Sequence, residues 1–340
     1  MDLMRPFTMG TSYFGNRMVQ HVKKDLETLK KEGYTDILHT VSENDLKFYR
    51  GTMKEIIEAS KKEGFTVTVS PWSIGLVFGG EAFSEFHILH PEACQVTQHG
   101  KQLPQACFNH PEFRKFMKDW VDAVKKMGAD AILWDEPHWA GNGGWYSIKD
   151  DEWTCRCKTC QGIFEEKSGR QMPGEWSTDV EEFRKDSMID FLKEMTDYAK
   201  GKDFTNIICF FPNRRKFEVP SEWEEAACLE GVDVFATDPY WVGANYEVEK
   251  FISFYVEQAI RIAEANNLKV QLYIQNFRIE EGKEHQVETA VRVGWEKGIR
   301  HFYTWGFNSC GHMSFLASDR PEKAFENYHG TLRKLKSKKG

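Results

Sequence analysis

An apolar run that ends in two adjacent carboxylates is the part of this chain with the clearest chemistry. Ala131-Ile132-Leu133-Trp134 is followed directly by Asp135-Glu136-Pro137-His138-Trp139. Buried parallel strands are apolar, and the carboxyl ends of such strands carry the catalytic groups of barrel enzymes. Glycoside hydrolysis needs one carboxyl group as proton donor and a second as nucleophile or as the base that activates water. We therefore expect Glu136 to be a general acid at the mouth of a barrel.

The neighbours of Glu136 favour proton donation. A carboxyl group between Trp134 and Trp139 would be partly desolvated, and desolvation raises the pKa of an acid toward neutrality. His138 could assist proton transfer from the same loop. A salt bridge across the barrel mouth is the alternative role that the sequence leaves open for Glu136.

The sequence offers several sources for the second carboxylate. Asp238 follows another apolar run, in Thr237-Asp238-Pro239-Tyr240-Trp241, and could be the nucleophile or the base, although an acid before proline also starts turns. Asp135 adjoins Glu136, but successive side chains of a strand point to opposite faces, so the two diverge unless the strand ends there. A third source would be an acid that reaches back from the loop after the seventh strand: Glu280, Glu281 or Glu284.

Polar and aromatic residues at the predicted strand ends could contact a sugar. Aromatic residues make up 14% of the chain, with 11 Trp, and the apolar C–H faces of sugar rings stack on aromatic planes. Packing within the barrel is an equally ordinary role for such aromatic residues. The expected sugar contacts are His39, Glu43, Trp134, His138, Tyr240, Trp241, Gln275, Asn276, Trp305 and Asn308.

The spacing of Cys155-Arg156-Cys157-Lys158-Thr159-Cys160 predicts a metal site. These three thiolates can converge on one ion, whereas they cannot easily form local disulfides. Structural zinc takes four Cys or His ligands in a tetrahedron, so a fourth ligand must come from elsewhere. Cys107 is the expected fourth ligand and Cys94 the reserve, while three reduced thiols in a loop are the alternative. Two further cysteines, Cys209 and Cys228, are expected to fill the core.

The elements that position these residues alternate along the chain. Short apolar runs predict strands over 7–12, 36–41, 65–70, 131–134, 206–211, 232–237, 269–274 and 301–305. Amphipathic stretches between them predict helices over 19–31, 46–63 and 183–200, and one from the Pro111 region to Gly128. Such alternation requires parallel strands with crossover helices, and eight units match a (β/α)8 TIM barrel.

We therefore expect residues 1–340 to form one barrel domain with long loops after strands three (71–106) and four (137–180). A doubly wound open sheet is the alternative fold. It would need a glycine-rich phosphate loop after an early strand, and Gly75, Gly79 and Gly80 do not have that spacing.

Net charge and the distribution of apolar residues indicate which kinds of molecule the chain is expected to bind. The net charge of -7 argues against nucleic acid, because phosphates are bound by clustered Lys and Arg. No apolar stretch approaches the roughly 20 residues that span a bilayer, and no leader pattern opens the sequence. We expect a cytoplasmic protein that binds carbohydrate and a structural Zn²⁺ but no organic cofactor. Trp and Phe on the long loops could cover the site of a neighbouring copy, in a homo-oligomer.

The Asp135-Glu136 segment and the cysteine run together resemble the family 42 glycoside hydrolases, the zinc-containing β-galactosidases. That family has a cysteine before a proline-containing helix start, then Asn-Glu at the end of strand four, then a C-x-C-x-x-C run that leads into a helix. Here the parts are Cys107-Phe108-Asn109-His110-Pro111, Asp135-Glu136-Pro137 and residues 155–164. The resemblance implies a barrel glycosidase with Glu136 as acid/base and Cys107, Cys155, Cys157 and Cys160 as zinc ligands.

Two departures from the family imply a distant relative with altered chemistry. Asp135 stands where the family has an Asn that contacts the sugar 2-hydroxyl. At the end of strand seven, where the larger clan places its nucleophile Glu, this chain has Gln275. An adjacent Asp-Glu pair at strand four also resembles the hexosaminidases of families 20 and 84 in mechanism. In those enzymes the Asp orients the acetamido group of the substrate, which then acts as nucleophile.

The sequence thus predicts a glycoside hydrolase that cleaves a small saccharide or a chain-end bond. A carbohydrate-binding barrel without catalysis is one alternative, because a second carboxylate is missing at strand seven. A metal-dependent barrel aldolase or isomerase is another, and it would assemble its ligands from His39, Glu136, Asp238 and His301.

Overall fold

The computed structural model of the chain describes residues 7–141, 148–149, 151–212, 217–244 and 246–338. Its strands are β1 (Thr8–Tyr13), β2 (Asp36–Thr40), β3 (Thr66–Ser70), β4 (Cys94–Val96), β5 (Gln102–Ala106), β6 (Ala131–Asp135), β7 (Thr205–Phe210), β8 (Val234–Thr237), β9 (Lys269–Gln275) and β10 (His301–Trp305). Its helices are α1 (Val19–Lys31), α2 (Glu43–Phe48), α3 (Arg50–Lys62), α4 (Phe86–Leu89), α5 (Pro111–Met127), α6 (Lys158–Ser168), α7 (Thr178–Lys200), α8 (Ser221–Ala227), α9 (Val248–Ala265), α10 (His285–Glu296) and α11 (Pro321–Ser337).

Eight of the strands close into a parallel barrel in the order β1-β2-β3-β6-β7-β8-β9-β10, and β10 pairs with β1. These eight strands are the predicted ones, with ends that differ by at most two residues. The closed barrel confirms the predicted (β/α)8 fold and excludes the open sheet. None of the helices in the described ranges is long and apolar enough to cross a membrane.

The helices follow the sequence signals in most places. α1 has the predicted bounds, and α5 ends at Gly128, whose φ of 93° is the left-handed conformation that suits a glycine after a helix. The helix predicted over 46–63 is instead two helices, α2 and α3, which meet at Tyr49. The missed signal is the capping box of Ser42 and Asp45, which starts α2 earlier than the apolar periodicity suggests.

Alternation along the strands divides their side chains between two cores. Leu38, Leu133 and Ala236 point into the barrel, together with Tyr273 and Tyr303. Their strand neighbours point outward to the helices, and this outer core includes Ile37, Ile132, Trp134 and Phe235. The face that a residue occupies therefore decides whether its side chain can reach the barrel mouth.

The segments after β3 and β6 contain structure that the sequence did not predict. Strands β4 and β5 form an antiparallel hairpin between β3 and α5. The segment after β6 packs on this hairpin through a bridge between Thr97 and Thr154 and a 2.8 Å hydrogen bond from Arg156 N to Val96 O. The two insertions are thus joined to each other beside the barrel mouth.

Candidate active site

A cavity of about 590 Å³ opens at the carboxyl ends of the barrel strands. Among the described residues, the acids that line it are Glu81, Asp135 and Glu136. Its other walls are largely aromatic, from Phe78, Phe210, Phe211, Tyr240, Phe277, Trp305 and Phe315. A larger cavity of about 760 Å³ lies at the opposite end of the barrel and includes Asp36, Asp130 and His301. In barrels the carboxyl-terminal face carries the chemistry, and the cavity at that face which contains Asp135 and Glu136 is the candidate active site.

Asp135 and Glu136 converge on this cavity instead of diverging. Glu136 follows the last residue of β6 and has a φ of 44°, a left-handed conformation that is uncommon outside glycine. A Cβ atom placed on Gly79 would lie 2.9 Å from Glu136 Oε2 and 3.0 Å from Asp135 Oδ2. Both carboxylates therefore face the backbone of Gly79. Strained backbone of this kind is concentrated at functional sites.

Asp238 lies beneath the cavity rather than in its wall. Its side chain is 1% exposed, and its carboxyl group lies beside the side chains of Glu136 and Cys209 without a well-formed hydrogen bond to any described residue. Burial raises its pKa well above the usual range, and the neighbouring carboxyl groups of Glu136 and Asp135 raise it further. Burial also raises the pKa of Asp135, with added repulsion from Glu136 and Glu81. Burial and mutual repulsion therefore both favour the neutral form of these two carboxyl groups.

Glu81 is an acid of the site that the sequence did not predict. It comes from the segment after β3, lines the cavity, and accepts a 3.3 Å hydrogen bond from Trp72 Nε1 at Oε2. The predicted loop acids lie elsewhere, because Glu280 pairs with Lys283 while Glu281 and Glu284 pair with Arg320. No spacing pattern marks Glu81, although the glycines at 79 and 80 signal a close approach of backbone.

Three of the expected sugar contacts line the cavity: His138, Tyr240 and Trp305. The Trp305 ring stacks on Phe14 with 5.0 Å between centroids, which fixes the plane that it presents. His138 Nδ1 lies 2.7 Å from the carbonyl oxygen of Glu136. Since a carbonyl only accepts, Nδ1 carries the proton of that bond and Nε2 is the free acceptor in the neutral ring.

Three other expected contacts point outward, into the layer between barrel and helices. Trp134 donates from Nε1 to Asn206 Oδ1 at 2.9 Å, and Trp241 donates to Gln286 Oε1 at 3.0 Å. His39 Nε2 lies 2.8 Å from Ser60 Oγ of α3. None of the three lines the cavity, because each side chain is bonded within the layer between barrel and helices.

Most of the remaining expected contacts form side-chain hydrogen bonds with neighbouring residues. Glu43 accepts four hydrogen bonds that hold the segment after β3, from Gly75 N, Ser84 Oγ, Glu85 N and Phe86 N. Gln275 Oε1 accepts from Val242 N, and its Nε2 donates to Phe277 O. Asn276 is fully buried and accepts from Ser309 Oγ. None of these three, nor Asn308 in the 3-10 turn Phe307–Cys310, lines the cavity.

The four predicted metal ligands come together beside the site. The Sγ atoms of Cys107, Cys155, Cys157 and Cys160 all lie within 4.8 Å of one another, and all four residues are buried. Cys107 Sγ is 3.5 to 3.8 Å from the other three. Tetrahedral zinc with Zn–S bonds of about 2.3 Å separates its sulfurs by about 3.8 Å. The donor set, its spacing and its burial therefore fit a structural zinc ion.

Hydrogen bonds around the cysteine group also suit thiolates. Asn109 Nδ2 donates to Cys160 Sγ at 3.3 Å, and the backbone N–H of Cys160 donates to Cys157 Sγ at 3.5 Å. Hydrogen bonding with the other three cysteines raises the pKa of Cys107, and a cation at the centre would reverse that direction.

The other cysteines lie outside this group. The reserve ligand Cys94 donates instead to His90 O. Cys209 is buried inside the barrel, as expected, but Cys228 is exposed at the end of α8, so its prediction as a core residue is wrong.

The ligand set of the metal-dependent alternative is not assembled. His301 lies at the amino-terminal end of the barrel, 3.1 Å from Thr8 Oγ1, and His39 points outward to α3. Burial lowers the pKa of His39 to about 3. Among the described residues, no group of three His, Cys, Asp or Glu with metal-binding spacing includes Glu136 or Asp238.

Comparison of the fold with solved structures returns barrel glycoside hydrolases. A GH42 β-galactosidase from G. stearothermophilus matches with a TM-score of 0.72 and 12% identity over 98% of this chain and 57% of that one. An endo-1,4-β-mannanase from Rhizomucor miehei matches with a TM-score of 0.60 and 12% identity, covering 96% and 95%. GH5_18 from Streptomyces cattleya, solved with GlcNAc, matches with a TM-score of 0.62 and 11% identity, covering 97% and 80%.

Sequence comparisons give no such match. Neither the protein-family profiles nor the curated protein sequences match this chain. The chain spans little more than half of the GH42 enzyme. The similarity is therefore one of fold: the chain has the barrel of GH42 and other glycoside hydrolases, at low sequence identity.

Proposed function

We propose that this chain is a glycoside hydrolase that cleaves a small saccharide or a chain-end bond, with Glu136 as the general acid/base. The observation that carries the proposal is the convergence of Asp135 and Glu136 on an aromatic-walled cavity at the carboxyl end of the barrel. The fold shared with glycoside hydrolases supports the same class of reaction.

The chemistry assigned to this geometry begins with proton transfer. Glu136 gives its proton to the glycosidic oxygen while the C1–O bond breaks, and the bonding electrons leave with that oxygen. Trp305 and Tyr240 offer faces on which a pyranose ring can stack. The positive charge that develops on the sugar ring is stabilised by the surrounding carboxylates.

Asp135 and Asp238 remain the predicted choices for the second carboxylate, and they differ in whether their side chains reach the cavity. Asp135 faces the cavity beside Glu136 and could orient a substrate acetamido group. Asp238 is buried next to Glu136 and does not line the cavity, so it has no direct access to a sugar there.

A carbohydrate-binding barrel without catalysis is the second candidate. The observation that favours it is Gln275, which stands at the end of β9 where a nucleophile would be expected. Both ends of its amide are bound to backbone, so that position offers no acid.

We also propose that the four-cysteine group binds Zn²⁺ in a structural role. The ion would hold Cys107, which follows the β4–β5 hairpin, to Cys155, Cys157 and Cys160 in the segment after β6. It would thereby fix the two insertions that flank the cavity. A zinc ion with four protein ligands has no open position, so we assign it no part in the hydrolysis.

The proposed function is tested with a panel of 4-nitrophenyl glycosides that includes N-acetylhexosaminides. Wild type, Glu136→Gln and Asp238→Asn are compared, and Glu55→Gln, an exposed acid on α3, is the matched control. We expect hydrolysis of at least one glycoside by wild type and the control, and a clear loss in Glu136→Gln. Sugar binding without hydrolysis of any glycoside would favour the binding barrel instead.

A further inference from the structure

The segment Gly79-Gly80-Glu81 brings a third carboxyl group to the cavity wall beside Asp135 and Glu136. Gly79 N donates to Asp135 O at 2.9 Å, and Ser73 N donates to Gly79 O at 3.0 Å. The backbone before Glu81 is therefore tied to the end of β6. These backbone hydrogen bonds fix the position of this segment relative to the barrel.

Glycine at position 80 is required for this approach. Its φ is 116°, and a Cβ atom there would lie 1.8 Å from Trp72 Cδ1. The chain thus passes directly against the Trp72 indole, and the next residue receives the indole N–H at Glu81 Oε2. One carboxylate oxygen of Glu81 is held in this way, while the residue still lines the cavity.

The carboxyl groups of Glu81 and Glu136 differ in their hydrogen-bonding surroundings. Glu81 accepts the Trp72 N–H, which favours its ionised form, whereas the Glu136 carboxyl group lies beside the buried carboxyl group of Asp238. Burial raises the pKa of Glu81 to about 7, and repulsion by Glu136 contributes to that rise. Protonation of Glu136 removes this repulsion, so a proton on Glu136 favours a charge on Glu81.

We propose that Glu81 is the second catalytic carboxylate of this site, the base that activates the attacking water. This inference rests on the proposed function. Glu136 gives its proton to the leaving oxygen as the C1–O bond breaks. A water oxygen forms the new bond to C1, and its proton passes to the Glu81 carboxylate. Attack on the face opposite the leaving group inverts the anomeric configuration.

The test compares Glu81→Gln and Glu81→Ala with Glu85→Gln on the best 4-nitrophenyl glycoside of the wild type. Glu85 is a nearby acid whose side chain pairs with Lys47 at the surface, so it controls for the loss of one charge. We expect kcat to fall about 10²- to 10⁴-fold in both Glu81 variants. Glu85→Gln should retain the wild-type rate. Wild-type kcat in Glu81→Gln would overturn the proposal.

Azide rescue distinguishes catalysis from damage to the fold. In Glu81→Ala, azide can occupy the vacated space and attack C1, and we expect a restored rate and a glycosyl azide of configuration opposite to the substrate. Absence of rescue in a folded variant, or a product with retained configuration from the wild type, would contradict the assignment. If the wild type hydrolyses no glycoside, the proposed function fails. Wild-type hydrolysis with a fully active Glu81→Gln refutes this inference alone.

Discussion

Substitution of Gly79 by alanine tests whether the two carboxylates converge. The new methyl group would lie 2.9 Å from Glu136 Oε2 and 3.0 Å from Asp135 Oδ2, whereas ordinary contact begins at 3.4 Å. Gly79 has no positive φ, so alanine fits its backbone. Each carboxylate must therefore move by about half an ångström, and displacements of up to about 1 Å in a catalytic site cost up to roughly 10²-fold in rate.

We expect kcat/KM of Gly79→Ala to fall about 10- to 100-fold, equivalent to about 1.4 to 2.7 kcal/mol. The atoms that give way are side-chain ends, so the melting temperature should change little. Initial rates on an aryl glycoside and thermal unfolding measure both effects. Gly51→Ala, in a helix with open space around the new Cβ, is the control and should retain full activity. Unchanged kcat/KM in Gly79→Ala would refute the convergence.

Two further predictions concern the cysteine group and the buried acid. Cys107→Ser should lower the zinc content of the purified protein from about one ion per chain to near zero and lower the melting temperature by several degrees, whereas Cys228→Ser should change neither. Asp238 holds a proton in the folded state that the unfolded chain releases near pH 3.8, so its contribution to stability is complete below that pH and is lost as the pH rises. Asp238→Asn should therefore melt higher than wild type at about pH 8 and show no such advantage near pH 4. An equal difference at both pH values would contradict the raised pKa.

The barrel could be predicted because its signals are local. Each strand is an apolar run with bounding polar residues, and strand order in a parallel barrel follows chain order. The convergence of the cysteines was also predictable, because C-x-C-x-x-C brings three thiols within reach of one another. That residues 1–340 form one domain, in the cytoplasm, stays a prediction.

The side of the strand on which a residue lies follows from alternation only while the backbone stays extended. Leu133 and Asp135 share the inner face of β6, so alternation alone places Trp134 outside. The same rule applied to Glu136 fails, because its left-handed backbone turns the side chain back toward Asp135. No residue type at that position signals such a turn.

Glu81 could not be found from sequence pattern. Its position depends on contacts with Trp72 and the Asp135 backbone, which lie 9 and 54 residues away in the chain. Such contacts exist only when the barrel has closed. The glycines at positions 79 and 80 do not have the spacing of a phosphate loop; they allow the backbone to pass between the Trp72 indole and the two carboxylates of Asp135 and Glu136.

The role of Glu136 as general acid is measured most directly by how the rate of hydrolysis depends on the leaving group in wild type and in Glu136→Gln. A general acid matters most when the departing oxygen is a poor leaving group. The assignment of Glu136 predicts a modest loss for 4-nitrophenyl glycosides and a loss that grows steeply for alkyl glycosides and disaccharides. A constant ratio of the two rates across all leaving groups, or wild-type hydrolysis of a disaccharide by Glu136→Gln, would contradict it.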